Sequence, residues 1–303
     1  MKRAAVIDIG SRSVKCFVGE MRADGRVGTV LDESKVTALG ASVFRTGLMD
    51  EDAIRRTART VASFAGKART LGADAIAAAG TMALRSAKNS ADLTDLVREL
   101  TGLTVRTLSG QEEARLSYLS AVSGLPGDGD TLVFDLGGGS TELIRGRARD
   151  IRSRMSLDLG VNRITERFFE DEPVDPSRVT AALQLIRSEL AHVPGLQGAD
   201  RLIGIGGAAT VMSAVRMKLD PYDPLRVHGS LLTAREAESQ IMLYAQSTLD
   251  ERRAMPGMQK GRAEVILAGA CIVRAILEAT RFDHLTVSDR GLRHGLAQEM
   301  LEG

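Results

Sequence analysis

One arrangement of residues occurs twice in this chain. Residues 131–144 read TLVFDLGGGSTELI, and residues 4–20 read AAVIDIGSRSVKCFVGE. In each segment an apolar run ends in an aspartate, a glycine turn with hydroxyl side chains follows, and apolar residues then resume. An internal duplication constrains the whole fold, because each copy has to form the same local unit. The chain is therefore predicted to fold as two similar lobes, each presenting an acidic glycine turn to a shared cleft.

The second copy has the composition of a phosphate site. Its glycines, residues 137–139, allow backbone angles closed to other residues and let a ligand approach the main chain. Successive N–H groups in such a turn form an anion-binding concavity, to which Ser140 and Thr141 add hydroxyl donors. Asp135 would repel a phosphate unless a cation lay between them, and magnesium held by carboxylates and phosphate oxygens meets that need. The alternative is a glycine-rich hairpin turn that binds nothing.

Composition argues against several classes of protein. With 303 residues, 44% of them hydrophobic, the chain is long enough for two globular domains. A net charge of +1 argues against a general nucleic-acid binder. Cys16 and Cys271 lie within apolar runs, which predicts buried thiols and a reducing cytoplasm. Asp8 interrupts the first apolar run too early for a signal peptide, and the longest apolar stretches are too short to span a bilayer, so we expect a protein without membrane contact.

Hydrophobic periodicity predicts strands alternating with helices, and hence an α/β protein. Strand patterns occupy residues 4–20 and 26–38, and a helix follows from about 50 to 72. Ser90 is the predicted N-cap of a later helix. Beyond residue 215 the only predicted strand covers residues 284–289.

The lobe boundary is predicted in the segment GLPGDGD, residues 124–130, which has the glycine and proline content of a linker. The predicted domains are therefore residues 1–124 and 125–303. An alternative for the last helix is that it packs on the first lobe. The apolar helix predicted at 263–279 would serve either a core or the face of a homodimer.

A third glycine turn follows another apolar run. Residues 201–215, RLIGIGGAATVMSAV, read as a strand, a turn and a helix, which is the geometry that directs helix N–H groups at an anion. The small residues GGAAT at 206–210 fit close packing of helix on strand equally well. Both interpretations stay open from the sequence.

Together these segments resemble the exopolyphosphatase and guanosine pentaphosphate phosphohydrolase (Ppx/GppA) family. The pairing of SGQEEAR with FDLGGGSTEL is specific to that family, and the similarity extends over nearly the whole chain. The resemblance implies a fold of two actin-like (ribonuclease H-like, ASKHA) lobes with an interlobe cleft. The segments that carry it are DIGSRS at 8–13, GTMALRSAKN at 80–89, SGQEEAR at 109–115, FDLGGGSTEL at 134–143, VHG at 227–229, PGMQKGRAEVILAG at 256–269 and SDRGLRHGL at 288–296.

The resemblance also implies roles for individual residues. The family's catalytic glutamate, which orients or deprotonates the attacking water, corresponds best to Glu113, with Glu112 as its neighbour in the pair. Paired acids at this position are otherwise common capping residues, because the helix dipole favours negative charge there. Arg85 corresponds to an arginine that meets phosphate, a task suited to a planar guanidinium; its alternative role is on a solvated helix face.

The remaining predicted site residues bind metal or phosphate. The metal ligands implied by the resemblance are Asp135 and Glu142, with Asp8 as a helper from the other lobe. The predicted phosphate-binding residues are Gly10, Ser11, Arg12, Ser13, Thr81, Gly137, Gly138, Gly139, Ser140, Thr141, Gly206 and Gly207.

Three positions depart from the family pattern. Most relatives have asparagine where this chain has Arg12, a different glycine loop where it has GGAAT, and aspartate where it has Glu264. The changes keep the glycines and add positive charge, so they bear on substrate choice more than on phosphate binding. Larger relatives also carry a second, C-terminal domain for which residues up to 303 contain no counterpart.

The predicted function is exopolyphosphatase activity, that is, Mg²⁺- or Mn²⁺-dependent hydrolysis of the terminal phosphate of inorganic polyphosphate, with a preference for short chains. Such catalysis depends on positioning and charge neutralisation more than on covalent chemistry. The alternatives are guanosine pentaphosphate hydrolysis, a sensor that binds polyphosphate or a nucleotide without hydrolysis, and phosphate transfer to a nucleotide. No nucleic-acid or membrane partner is expected.

Overall fold

Strands and helices alternate along the chain as the periodicity predicts, and the α/β class is confirmed. The computed structural model describes residues 2–23 and 27–303, so residue 26, the start of the second predicted strand pattern, lies outside them. The described chain divides into two compact units, Met1–Ser120 with Arg290–Gly303 (unit 1) and Ala121–Asp289 (unit 2). The predicted domain limits at 124 and 125 stay a prediction.

Each unit is built on one mixed sheet. In unit 1 the strand order is β3-β2-β1-β4-β5, and in unit 2 it is β10-β11-β9-β6-β7-β8. The strands are β1 (Arg3–Ile9), β2 (Ser13–Met21), β3 (Val27–Val36), β4 (Ala75–Gly80), β5 (Val105–Thr107), β6 (Asp130–Leu136), β7 (Thr141–Arg147), β8 (Asp150–Leu157), β9 (Arg201–Ile205), β10 (Leu231–Thr233) and β11 (His284–Val287).

Helices cover these sheets and connect their parallel strands. They are α1 (Val43–Thr46), α2 (Glu51–Thr70), α3 (Met82–Ser86), α4 (Ser90–Thr101), α5 (Gly110–Val122), α6 (Val161–Phe168), α7 (Pro176–Ala191), α8 (Gly207–Met217), α9 (Pro224–Val227), α10 (Ala234–Gln246), α11 (Leu249–Ala254), α12 (Ile266–Thr280) and α13 (Leu292–Glu302).

The two sheets repeat one topology. In unit 1 an antiparallel hairpin, β1–β2, extends to β3, and β1 pairs in parallel with β4. In unit 2 the hairpin β6–β7 extends to β8, and β6 pairs in parallel with β9. The duplication predicted from the two glycine turns is therefore a duplication of the whole strand arrangement.

Both faces of the unit 1 sheet are covered, which explains why β1 is apolar along most of its length. Ile7 and Ile9 pack in a core that includes residues of α2 and α4. Val6, on the opposite face, packs in a smaller cluster with residues of α5 and α13. The last helix thus packs on the unit 1 sheet.

Helix α12 lies at the centre of the unit 2 core. Its apolar residues are buried in one cluster with Phe134 of β6 and with residues of α7, α8 and α10. The apolar face predicted at 263–279 therefore serves this core. Cys271 belongs to α12, and both Cys16 and Cys271 are buried free thiols, as predicted.

Two local predictions were wrong. Residues 231–233 form β10, an antiparallel partner of β11, where the sequence predicted helix. A strand of three residues is too short for a period of two to show. The N-cap of α4 is Asn89, one residue before the predicted Ser90, and its side chain bonds the Met49 backbone instead of the helix.

No helix in the described ranges is long and apolar enough to cross a membrane.

Candidate active site

The two glycine turns close in the same way. In unit 2 the Gly137 N–H donates to the Ser140 carbonyl oxygen at 2.9 Å, and in unit 1 the Gly10 N–H donates to the Ser13 carbonyl oxygen at 3.0 Å. Each turn follows a strand whose next-to-last residue is the aspartate of the motif. The turns therefore correspond residue for residue, whereas their predicted exposure to one cleft stays a prediction.

Backbone contacts hold the first turn against residues 37–40. The Ser11 carbonyl oxygen accepts a hydrogen bond from the Gly40 N–H at 2.7 Å, and the Arg12 carbonyl oxygen accepts bonds from the N–H groups of residues 37 and 38 at 3.0 and 2.9 Å. Ser11 and Ser13 are buried and the Arg12 side chain is half-buried. With these carbonyl oxygens occupied, the turn repels an approaching anion less.

The second turn is held by a segment that the sequence analysis missed. The Val161 N–H donates to the Gly137 carbonyl oxygen at 3.1 Å, and the Asn162 N–H donates to that of Gly138 at 2.8 Å. A Cβ on Gly160 would lie 2.3 Å from the Gly139 carbonyl carbon, so only glycine fits there. The signal in the sequence was a glycine placed between a strand and a helix in SLDLGVN.

Two carboxylates stand opposite each other beside the second turn. Asp135 and Glu142 are direct cross-strand partners, which places their Cβ atoms about 5 Å apart on one face of the sheet. Glu142 Oε1 accepts hydrogen bonds from the hydroxyls of Ser140 at 2.6 Å and Ser156 at 3.0 Å. Ser140 therefore orients Glu142, a role that differs from the phosphate contact predicted for it.

This pair fits a hard divalent cation. Mg²⁺ prefers oxygen ligands and is usually bound by one or two carboxylates with substrate phosphates and waters. Within residues 2–23 and 27–303 no three side chains of the metal-binding types lie close enough together to form a complete cage. A cation at Asp135 and Glu142 would thus take its remaining oxygen ligands from water or from a substrate.

Asp8 has a different neighbour. It is buried, at 7% exposure, and its direct cross-strand partner is Lys15. Opposite charges across an antiparallel pair are favourable. The carboxylate of the first lobe therefore faces a cation of the chain itself.

The third turn serves packing and places an arginine. Gly206 has a φ of 94°, and a Cβ there would lie 2.5 Å from the Leu136 carbonyl oxygen, so glycine is required. A Cβ on Gly207 would lie 2.4 Å from Cζ of Arg262, whose guanidinium thus lies against the first residue of α8. Close packing by the small residues is confirmed, because a Cβ on Gly269 of α12 would lie 2.5 Å from that of Ala208. Arg262 lies in the segment PGMQKGRAEVILAG, but no local pattern there distinguishes it from the other basic residues.

Two of the predicted catalytic residues are in contact. Arg85 Nη1 donates to Glu113 Oε2 at 2.7 Å and to the Leu108 carbonyl oxygen at 2.8 Å. Their side chains are 29% and 16% exposed. Arg85 lies on α3 after β4, and Glu113 lies on α5 after β5, so the pairing of these parallel strands brings both to one sheet edge. Thr81, the buried N-cap of α3, lies in the same connection.

Glu112 is engaged at the start of α5. The Ser109 N–H and hydroxyl donate to Glu112 Oε2 at 3.0 and 2.9 Å, and the Glu112 N–H donates to the Ser109 hydroxyl oxygen at 3.2 Å. This is a capping box. The hydrogen bond from the Ser109 backbone, followed by that from its hydroxyl, lowers the pKa of Glu112. Of the two glutamates, Glu113 is therefore the one whose carboxylate is not part of the cap.

Comparison with known proteins identifies relatives of nearly the same length as this chain and relatives that are longer. The chain is 31% identical over 316 residues to "Exopolyphosphatase 2" of Mycobacterium tuberculosis, an alignment that covers 98% of each protein. It is 28% identical to the "Guanosine-5'-triphosphate,3'-diphosphate pyrophosphatase" of Vibrio atlanticus, but there the alignment covers 98% of this chain and 59% of the relative.

A solved structure shows the same fold. The crystal structure of the Aquifex aeolicus member of the Ppx/GppA family aligns with a TM-score of 0.85 and 33% identity, covering 99% of this chain and 98% of that one. This confirms the predicted fold of two actin-like α/β lobes. The profile of the Ppx/GppA phosphatase family matches residues 6–303. Sequence, strand topology and the paired glycine turns thus agree, and the chain belongs to the Ppx/GppA phosphatase family.

Proposed function

We propose that this protein is an exopolyphosphatase that hydrolyses the terminal phosphoanhydride bond of inorganic polyphosphate with the help of a divalent cation. The observation that carries the proposal is the contact of Glu113 with Arg85 at 2.7 Å. A hydrolase needs a base for the attacking water, and this contact holds the carboxylate that corresponds to the family's catalytic glutamate in one position.

Glu113 is the proposed base. Its carboxylate accepts a proton from the attacking water, while the hydrogen bond from Arg85 fixes its position. A guanidinium has five N–H donors, so Arg85 can hold Glu113 and still donate to a phosphate oxygen. The proposal leaves Glu112 a capping role.

The glycine turns are the proposed phosphate-binding elements. The N–H groups of Gly10 and Gly137 close their own turns, so the proposed anion-binding positions are the backbone N–H groups at 11–13, 138–141 and 206–207, and Thr81 adds a hydroxyl. The carbonyl groups of the first two turns are engaged by neighbouring segments, which supports this assignment.

Asp135 and Glu142 are the proposed ligands of the cation, Mg²⁺ or Mn²⁺, with Asp8 as a helper. When bound, such an ion neutralises the charge that builds up on the transferred phosphate. The direct cross-strand pairing of Asp135 with Glu142 supports this assignment, because it brings two carboxylates, the ligands that Mg²⁺ prefers, to one point on the sheet.

Polyphosphate is the favoured substrate because the alignment spans 98% of a protein named exopolyphosphatase, but 59% of the guanosine pentaphosphate enzyme. Short chains are the proposed preference. The buried free thiols support a cytoplasmic location. A homodimer is left as a proposal for which no surface is assigned.

Phosphate release should be measured side by side with short polyphosphate, long polyphosphate, guanosine pentaphosphate and ATP, each with and without Mg²⁺. We expect release from polyphosphate to be fastest and to need the cation. Faster release from guanosine pentaphosphate would reassign the substrate. Binding of polyphosphate without release from any of the four would establish a sensor.

A further inference from the structure

The hairpin of β7 and β8 carries a concentration of positive charge that the proposed reaction does not use. Residues 145–154, RGRARDIRSR, contain five arginines and one aspartate, although the whole chain has a net charge of only +1. Strand β8 is the terminal strand of the unit 2 sheet. A terminal strand leaves outward-facing backbone N–H groups beside its side chains. This edge therefore offers both charged and neutral donors.

The strand register places one of these arginines beside the proposed cation ligands. Asp135, Glu142 and Ser156 form one row across β6, β7 and β8, and Ser156 donates to Glu142. Two residues along β8, Arg154 pairs with Ile144 of β7 on the same face. Because side chains two residues apart lie about 7 Å apart along a strand, Arg154 follows directly on Ser156. Both residues are exposed.

In unit 1 the sheet position that corresponds to Arg154 carries a charged residue that is paired within the chain. The counterpart of Arg154 is Asp32, which pairs with Phe17 as Arg154 pairs with Ile144. Asp32 receives two hydrogen bonds of 2.9 Å from Arg293 of α13, and its side chain is 15% exposed. Within residues 2–23 and 27–303 no carboxylate forms an ion pair with Arg154. The charge at the unit 2 position is thus reversed in sign and open to solvent.

We infer that Arg154, with the outward N–H groups of β8 beside it, forms a subsite for the phosphate units of a linear polyphosphate behind the one being cleaved. The inference rests on the proposed function, since it extends from the proposed cation ligands. An exposed guanidinium donates charge-assisted hydrogen bonds to phosphate oxygens. Because the interior units of polyphosphate are identical, the guanidinium can bind any of them. The subsite would favour chains of several phosphate units, short polyphosphate included, over a single triphosphate group.

Arg152 provides a matched control on the same strand. Its side chain is 50% exposed, and its guanidinium lies 3.6 Å from Asp130, which also binds Arg145. Arg145 is the cross-strand partner of Leu132, on the sheet face opposite Asp135. The register of β7 and β8 shifts between Arg145 and Gly146, and Arg152 has no partner on β7 there, so the alternation of side chains is interrupted between Arg152 and Arg154. The two arginines thus have the same charge and belong to the same strand but serve opposite faces.

The test is equilibrium binding of long-chain polyphosphate and of tripolyphosphate to the full-length protein without divalent cations, so that no turnover is needed. At low salt, Arg154→Gln should weaken binding of the long chain about fivefold, the effect of an exposed ion pair. Arg152→Gln should change it less than about twofold. The loss for Arg154→Gln should be smaller with tripolyphosphate and should shrink as salt is added. Arg154→Lys should recover part of the affinity.

Thermal unfolding of both variants controls for misfolding. Equal losses for the two variants would show general surface attraction and overturn the subsite, as would an unchanged Kd for Arg154→Gln. If no substrate is hydrolysed but Arg154→Gln alone weakens polyphosphate binding, the subsite stands and the hydrolase proposal fails. If polyphosphate is hydrolysed and Arg154→Gln alters neither KM nor Kd, the hydrolase proposal stands and the subsite fails.

Discussion

The two units share a strand order and a turn geometry but differ in the charges around the turn. In unit 1 the row across β1, β2 and β3 is Asp8, Lys15 and Ser34, whereas in unit 2 the matching row is Asp135, Glu142 and Ser156. An aspartate opposite a lysine is a favourable pair of opposite charges, whereas an aspartate opposite a glutamate concentrates negative charge at one point of the sheet, where a divalent cation can bind. The two copies thus share a fold, but the charges beside the glycine turn are mixed in unit 1 and both negative in unit 2.

The connections after the central strands differ as well. In unit 1, β4 leads into the five-residue helix α3, which carries Arg85 to Glu113. In unit 2, β9 leads into the eleven-residue helix α8, which begins in a glycine turn against Arg262. The proposed function gives the base to unit 1 and the cation ligands to unit 2, and four experiments test the comparison of the two units.

The largest effect is expected from Glu113→Gln, which keeps the shape of the side chain and removes the proposed base. Because general-base catalysis contributes about 10² to 10⁴ in rate, kcat should fall at least about a hundredfold while polyphosphate binding is retained. Steady-state phosphate release and a binding assay measure the two quantities. Glu112→Gln is the matched control, since glutamine can still complete the capping box, and its kcat should change less than about tenfold. An inactive Glu112→Gln beside an active Glu113→Gln would place the base one residue earlier.

The second effect concerns the cation. Asp135→Asn should raise the concentration of Mg²⁺ that gives half-maximal activity by about tenfold or more, because a charged ligand is lost beside Glu142. Asp8→Asn should raise it less, because Asp8 faces Lys15. Titration of activity with Mg²⁺ for both variants measures this difference. Equal shifts would show that the two units contribute equally to the cation site, and the comparison drawn from the rows of charges would then be wrong.

The third effect concerns the turns themselves, since Arg12 stands where the second turn has Gly139. A charge-assisted hydrogen bond to an anion contributes about 1.5 to 3 kcal/mol, so Arg12→Asn should raise KM for polyphosphate about tenfold or more, with less effect on kcat. The increase should diminish at high salt. An unchanged KM at low salt would mean that Arg12 does not contact the substrate, and that the first turn binds through its backbone alone.

The smallest effect is on stability and tests the charged position of unit 1 that corresponds to Arg154. Burial, reinforced by Arg293, lowers the pKa of His294 from 6.5 to about 4, against the hydrogen bond to Asp32. Burial alone would raise the pKa of the Asp32 carboxyl, but Arg293 and the hydrogen bonds from His294 and Arg293 hold it well below its usual range. Below pH 6.5 the unfolded chain therefore binds a proton at His294 that the folded protein excludes.

Stability should consequently fall as pH decreases from above 6.5 towards 4. The loss attributable to His294 is about 1 kcal/mol at pH 6 relative to pH 8. Chemical denaturation at both pH values, for the unmodified protein and for His294→Gln, measures it. The variant should show a weaker dependence on pH in this window, and an identical dependence would show that His294 is not the titrating group.

Much of the local structure was predictable because it depends on residues close together in the chain. The helix that begins after Asp50 is capped by its side chain, which accepts from the Ala53 N–H at 3.0 Å. The capping box at Ser109 follows from a serine and a glutamate three residues apart. The edge strand β10 was not predictable, since its three residues form a strand only because β11 lies beside them.

The sequence alone determined the duplication, the α/β class and the identity of both glycine turns, because each copy carries its aspartate, glycines and hydroxyls within a few residues. Strand register decided the rest. It placed Glu142 opposite Asp135 but Lys15 opposite Asp8, and it placed Arg154 where unit 1 has Asp32. The contact of Arg85 with Glu113 joins residues 28 positions apart, and that of Arg293 with Asp32 joins residues 261 apart. Such pairs form only when sheets and helices pack, because no local pattern specifies which distant side chain will lie within hydrogen-bonding distance.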